Sequence, residues 1–277
     1  MKKVLIIGVI CVSLGILTTV AGAVTIFSGG TDQFTAIINK TLDVLPEFSF
    51  EINSRRDYNS YTETVALNEV KQISLQVDAA EIELRVSSDE QVSITVESDY
   101  GSRRGEISQT DRQIKFRMSR GKIWQKKCRI SVSIPAQFLA DAEASIRIES
   151  NSCKITSKSI GFAGDIILSG SAVDAELLGL LGGLEADITA GELKAGFSAL
   201  SRDIVVHGTA LDADIYIPAN ADATVSFSGT ASDFEDEFGL DRSGGQIGRG
   251  GTAIDIRGTA LDVELKSAAA TVTGNTE

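Results

Sequence analysis

The segment Gly208-Thr209-Ala210-Leu211-Asp212-Ala213-Asp214-Ile215 constrains this chain most, because the chain repeats it. It returns as Gly258-Thr259-Ala260-Leu261-Asp262-Val263-Glu264-Leu265 and as Gly170-Ser171-Ala172-Val173-Asp174-Ala175-Glu176-Leu177. A looser copy is Gly229-Thr230-Ala231-Ser232-Asp233-Phe234-Glu235. Each copy is a glycine, a small polar turn, then a strand alternating apolar residues with carboxylates. Side chains of a strand point alternately to its two faces, so Leu211, Ala213 and Ile215 share one face and Asp212 and Asp214 the other. Gly170 and Gly208 are 38 residues apart. The degenerate copy Ile188-Thr189-Ala190-Gly191-Glu192-Leu193-Lys194 divides that gap into rungs of about 20 residues, a solenoid spacing. The repeat fixes a shape and names no reaction.

The expected fold class is all-β: a parallel β-helix-like solenoid of short strands, preceded by an N-terminal transmembrane helix. Hydrophobic residues make up 43% of the chain but aromatic ones only 6%, so the core is aliphatic and suits a narrow solenoid interior. Alternating runs begin at Val70 and include Ile73–Val77, Ile82–Val86, Val92–Val96, Gln113–Met118 and Arg129–Ile134. The polar run Ser87 to Gln91 between two of them is a hairpin-like signal. From Ser145 to Lys266 short strands follow at solenoid spacing, with the glycines of Leu177–Leu184 read as a turn.

Val4 to Phe27 is an uncharged run of 24 residues after Lys2-Lys3. As a helix it reaches roughly 36 Å, enough for a hydrocarbon core of about 30 Å. Lysines before it and none just after place the N-terminus in the cytoplasm and the rest outside. Ala21-Gly22-Ala23 also fits a signal-peptidase site, which makes a secreted form cleaved at Ala23 the rival reading. Apolar character continues past that site, which favours a single-pass anchor in the cell membrane with the C-terminal domain extracytoplasmic. No cysteine follows the apolar run, which argues against a lipoprotein anchor. The expected organisation is a signal anchor or signal peptide over residues 1–30, a juxtamembrane helix and linker over 31–69, the solenoid over 70–266 and a disordered tail over 267–277. Within the second part, Thr31 to Leu45 reads as an amphipathic helix closed by Pro46, and Glu47 to Glu63 as a linker or edge segment.

The net charge of −12 excludes nucleic acid as the main partner, since phosphate binding needs a basic field. Charge is segregated: Gly101 to Arg129 holds ten Lys or Arg against two acids, whereas residues 161–277 hold six against nineteen. Stacked rungs would align Asp174, Asp212, Asp233 and Asp262 in one ladder and Glu176, Asp214, Glu235 and Glu264 in another. Such ladders are a calcium site or a solvated outer face that deters wrong pairing. Like charges at strand spacing in water repel by only about 0.9 kcal/mol per pair, so no cation is needed to hold them.

The remaining candidates each have a bland reading. Gly239 to Gly251 holds six glycines, but they lead into a strand and not a helix N-terminus, so the run reads as a flexible loop interrupting the ladder and not as a phosphate cradle. Arg103-Arg104 and Gly121-Lys122-Ile123-Trp124-Gln125-Lys126-Lys127 suit an anionic polymer, a lipid surface or the protein's own acidic rungs, or are an exposed loop. His207, the only histidine, has no G-x-S-x-G or H-E-x-x-H context and reads as structural. Cys128 and Cys153 are either a disulfide or two buried thiols. No residue is assigned as catalytic, cofactor-binding or metal-ligating.

Ile73-Ser74-Leu75-Gln76-Val77-Asp78-Ala79-Ala80-Glu81-Ile82-Glu83-Leu84, the strand-closing prolines of Ser133-Ile134-Pro135 and Tyr216-Ile217-Pro218, and the Gly-Thr-Ala-x-Asp strands together resemble a bacterial putative-adhesin family of unknown function. The resemblance covers Val70 to Lys266. It implies a membrane-anchored or exported right-handed β-solenoid with a surface or envelope-stress role, and carries over no catalytic residues. The basic Gly101–Arg129 stretch departs from it. The expected function is that of a non-enzymatic cell-envelope surface protein whose acidic solenoid is used for binding or adhesion. Its partners would be the membrane, through the N-terminal helix, and an envelope protein, an anionic polymer or another copy of itself. The alternatives are an envelope-stress sensor or regulator acting through a membrane partner, and a β-helix enzyme acting on cell-wall polysaccharide. Intact-mass measurement of the protein taken from its native cells is expected to find residues 1–23 still attached; a species starting at Val24 would establish cleavage instead.

Overall fold

A computed structural model describes residues 59–67, 69–98, 105–110, 112–118 and 128–268. The expected transmembrane and amphipathic helices, Arg103-Arg104, the Lys122–Lys127 stretch and residues 269–277 lie outside them. The described chain is nearly all β, and among the described residues no helix is long and apolar enough to cross a membrane.

Six long strands form the body: β2 (Gln72–Ser87), β7 (Ser145–Ser157), β8 (Asp165–Leu180), β9 (Leu184–Phe197), β10 (Ile204–Pro218) and β14 (Thr252–Ala268). They lie parallel in that order. Ser145 pairs with Asp165, Ile166 with Leu184 and Leu184 with Ile204, so the chain comes back beside itself every 18 to 20 residues. Pairs of short strands expected as separate elements are the two arms of one long strand, bent where the glycine motif falls. In β8, Ile166 and Leu168 are buried before the bend, and Val173, Ala175 and Leu177 after it. The parity of the buried positions switches at Gly170-Ser171-Ala172, which keeps the apolar face of both arms on the core side.

The parallel register stacks like on like. Ile73, Ile146, Ile166, Leu184, Ile204 and Ile254 form one fully buried column of the first arm. In the second arm Ile155, Ala175, Leu193, Ala213 and Val263 alternate large with small, so neighbouring rungs interdigitate. Each fully buried Ile, Leu or Val contributes about 1.5–3 kcal/mol relative to exposure. Between rungs, the Leu181 and Gly182 amides donate to the Phe162 carbonyl, and Phe162 stacks on Phe138 at 6.1 Å. Phe138 belongs to α1 (Ala136–Leu139), a single helical turn after Pro135.

Both ends of the ladder carry a rung split in two. At one end β5 (Gln113–Met118) pairs with the first arm of β2 and β6 (Cys128–Pro135) with the second. There β4 (Glu106–Gln109) joins β5, β3 (Gln91–Ser98) joins β6, and β1 (Asn59–Ala66) joins β3, all antiparallel. The hairpin expected across Ser87–Gln91 does not form: β6 lies between β2 and β3, because β6 supplies the parallel partner that the second arm of β2 needs. At the other end β11 (Ala223–Gly229) and β12 (Asp233–Asp236) pair with the two arms of β14, and β13 (Gly244–Ile247) joins β11 antiparallel. The last described strand in sequence, β14, therefore lies between β10 and the β11–β12 rung. Phe227 and Phe234 stack at 4.9 Å and, with Phe238 and Leu240, pack against the core at this end.

Cys128 and Cys153 are both buried, and no disulfide joins them. Ala80 pairs with Cys153, and Glu81 with Arg129, so Ala80 separates the two cysteines by two strand spacings. That is about 9.5 Å between Cα atoms, beyond the roughly 7 Å a disulfide can span. The register decides for two thiols, and burial pushes the Cys153 thiol above its ordinary range.

The bend glycines are fixed by backbone approach. A Cβ on Gly258 would run into the Gly208 carbonyl oxygen of the next rung. At Gly196 the nearest obstacle is the flexible end of Leu178, at 3.1 Å. Gly258→Ala is expected to cost about 1–3 kcal/mol in denaturant unfolding, as overpacking does, while Gly196→Ala stays near wild type; equal stabilities would show that the bend does not hold the rungs this closely.

Candidate functional site

The expected carboxylates align in two columns; the first gains Glu192, and the second is interrupted by Lys194. On the exposed face of the second arm the register runs Asp174, Glu192, Asp212, Asp262, Asp233. Glu192 occupies the rung between Asp174 and Asp212. The column continues toward the other end through Lys154, Glu81, Arg129 and Glu97. It thus alternates in sign over four rungs and is acidic over the next five. Arg129 bridges Glu81 at 3.1 Å in the alternating part. A groove of about 560 Å³ lies there, beside Ala79 and Ala80, where small side chains leave room between Glu81, Arg129, Lys154 and Asp174.

The second column runs Glu176, Lys194, Asp214, Glu264, Glu235. Two lysines neutralise it. Lys194 lies 3.4 Å from Glu176, and Lys266 contacts Glu264 and stands 2.9 Å from Asp214, with its ammonium 5.5 Å from the Tyr216 ring centroid. The Glu264 and Asp214 carboxylates raise the Lys266 pKa far above the usual lysine value. No such cation stands within the acidic part of the first column. Partial burial, then the neighbouring Asp262, Asp214 and Glu264 charges, push the Asp212 carboxyl above its ordinary range, with Lys266 acting the other way. Among the described residues no group of three or more His, Cys, Asp or Glu is placed to hold a metal ion.

The other sequence candidates fall elsewhere. His207 is exposed on the outer face of the first arm, in register between Asp187 and Arg257, so its side chain is not part of the core. Arg257 is already paired with Asp255 at 2.6 Å. The glycine-rich stretch is more ordered than the loop expected from its composition. It contains β13, and the Asp222 carboxylate accepts from the Arg249 backbone amide at 2.8 Å and from its guanidinium at 2.9 Å. Those bonds, the backbone one first, hold the Asp222 carboxyl below the usual range. The glycines lead into β14 and not into a helix, which leaves no phosphate cradle. The degenerate copy that holds Glu192 and Lys194 is legible in the sequence, but with Ile188 and Gly191 at the positions of Gly208 and Leu211 it does not place either residue in the expected ladders; the 20-residue offset from Asp212 and Asp214 was the available signal.

A carboxyl held above its unfolded pKa binds its proton more tightly when folded, so folding is helped as pH falls from the raised value toward the ordinary one and hindered above it. Asp212→Asn is therefore expected to raise Tm at pH 7, with the gain shrinking as pH approaches 4; a lower Tm at pH 7 would contradict the crowding of this column. No family model matches the chain, and no curated protein matches it. Solved structures similar to it include a putative cell adhesion protein from Clostridium sporogenes, at 9% identity over 76% of this chain and 100% of that one, with a TM-score of 0.42. A putative adhesin from Bacteroides fragilis (12% identity, 76% and 97% coverage, TM-score 0.28) and one from Parabacteroides distasonis (11%, 76% and 98%, 0.26) are similar at lower scores.

Proposed function

We propose that this chain is a non-enzymatic surface protein of the bacterial cell envelope, whose ladder is a β-helix-like solenoid with an acidic face used for binding. The observation that carries this reading is the run of five carboxylates, Asp174, Glu192, Asp212, Asp262 and Asp233, one per rung. Successive members are about 4.8 Å apart. A rigid line of like charge attracts a cationic partner from a distance, accelerates encounter and loses strength as salt rises. Its fixed spacing suits a partner that presents Lys or Arg at strand intervals, such as the basic face of an envelope protein. The second column supports binding over a merely solvated surface, since the same strands supply Lys194 and Lys266 there and leave the first column uncompensated. The apolar run at residues 4–27 would hold the domain at the outer side of the cell membrane.

Cross-linking in cells with the wild-type chain and with the triple variant Asp174→Asn, Asp212→Asn, Asp262→Asn tests the reading. The wild type is expected to capture a defined envelope protein in a salt-sensitive manner, and the variant to lose it. Equal recovery from both chains, or cleavage of cell-wall polysaccharide that disappears with Asp212→Asn, would replace binding by another role.

A further inference from the structure

We propose that β1 is a dimerisation edge, pairing antiparallel with β1 of a second copy about a two-fold axis at Thr62. All eight residues of β1 are in register with β3, from Asn59 opposite Ser98 to Ala66 opposite Gln91, without a bulge. On its other side no strand pairs with it among the described residues. Sheet edges are ordinarily blunted by shortness, lysine, proline or bulges. The opposite end of this ladder obeys that rule: β12 and β13 are four residues each, and β12 carries Asp233, Glu235 and Asp236. By contrast β1, Asn-Ser-Tyr-Thr-Glu-Thr-Val-Ala, has no proline, no Lys or Arg and a single charge.

Charge selects which end of a second copy can approach. Residues 59–160 hold 15 Lys or Arg against 14 Asp or Glu, whereas residues 161–277 hold six against nineteen. Pairing through β1 keeps the two acidic halves at opposite extremes, while any contact through the β12 end brings them together. An isologous pair at the near-neutral end is the arrangement with least repulsion.

The same strand sets the register. Val65 is buried and Tyr61 half-buried on the core side, and Ser60, Thr62 and Thr64 are exposed on the other. Keeping both core faces on one side of the joined sheet requires the axis to pass through a residue and its own copy. An axis at Glu63 would set two carboxylates directly opposite, which is destabilising. An axis at Thr62 pairs residues 59–65 of each copy, with Ser60 opposite Thr64 and Tyr61 opposite Glu63. Ala66 stays outside this pairing, and its carbonyl already accepts from Gln109 Nε2 at 2.9 Å.

The inference stands on this edge and holds whether or not the acidic face binds a ligand. In the full chain carrying Cys11→Ser, Thr62→Cys is expected to give a covalent dimer on mild oxidation. Thr64→Cys is expected to give no covalent dimer, because the two Thr64 positions lie about 13 Å apart along the paired strands. Sedimentation of the wild-type full chain should show a dimer that Thr62→Lys with Thr64→Lys abolishes at unchanged Tm. A monomeric wild type, a dimer indifferent to the lysines, or Thr64→Cys cross-linking as readily as Thr62→Cys would each overturn the pairing.

Discussion

Parallel backbone pairing at an offset of about one motif places each residue beside its equivalent in the neighbouring rung, and the main features of this protein follow from that register. Aliphatic residues meet aliphatic residues, so two narrow buried columns in the first arm and three in the second suffice for a core with few aromatic rings. Glycine meets glycine at Gly208 and Gly258, so the bent strands approach as closely as straight ones would. The same rule brings acid against acid on the outer face. A sequence that repeats a motif in such a ladder does not choose between core and surface columns; it acquires both together.

Like-on-like stacking explains why the two acidic columns differ. In the column of Asp214, the repeat is broken at Lys194, and Lys266, from the position after Leu265, reaches across to Asp214 and Glu264. In the column of Asp212 each of these rungs keeps a carboxylate, and the pKa of the carboxyl at its centre is raised by partial burial and by its neighbours. The charge along this column changes character near Asp174, where rungs built from one motif give way to β7, β2 and β6. Those strands contribute Lys154, Glu81 and Arg129 with alternating sign. The charge of the ladder is thus polarised along its length.

Ends matter in a ladder because each rung contacts only its neighbours. Here both ends are closed by rungs made of two separate strands, with antiparallel strands added outside them. The β11–β12 end is short, acidic and covered by Phe227, Phe234, Phe238 and Leu240. At the other end β1 is long, regular and carries a single charge. Insertion of β14 between β10 and the β11–β12 rung also means that the last described strand lies within the stack and not at its tip.

By itself the sequence determined the repeat, its spacing, the inward and outward faces and the alignment of Asp174, Asp212, Asp262 and Asp233, because alternation and period are local properties of a strand. Tertiary structure alone decided which strands are neighbours. It placed β6 between β2 and β3 in spite of a hairpin-like loop, set Ala80 between Cys128 and Cys153, and made one long column of Glu97, Arg129, Glu81, Lys154 and the acidic rungs. It also turned Asn59–Ala66, within a stretch legible only as linker or edge, into a paired edge strand. The physical reason is that backbone hydrogen bonds between strands carry no sequence label. Once the core face is satisfied, partners are chosen by the packing of the whole ladder.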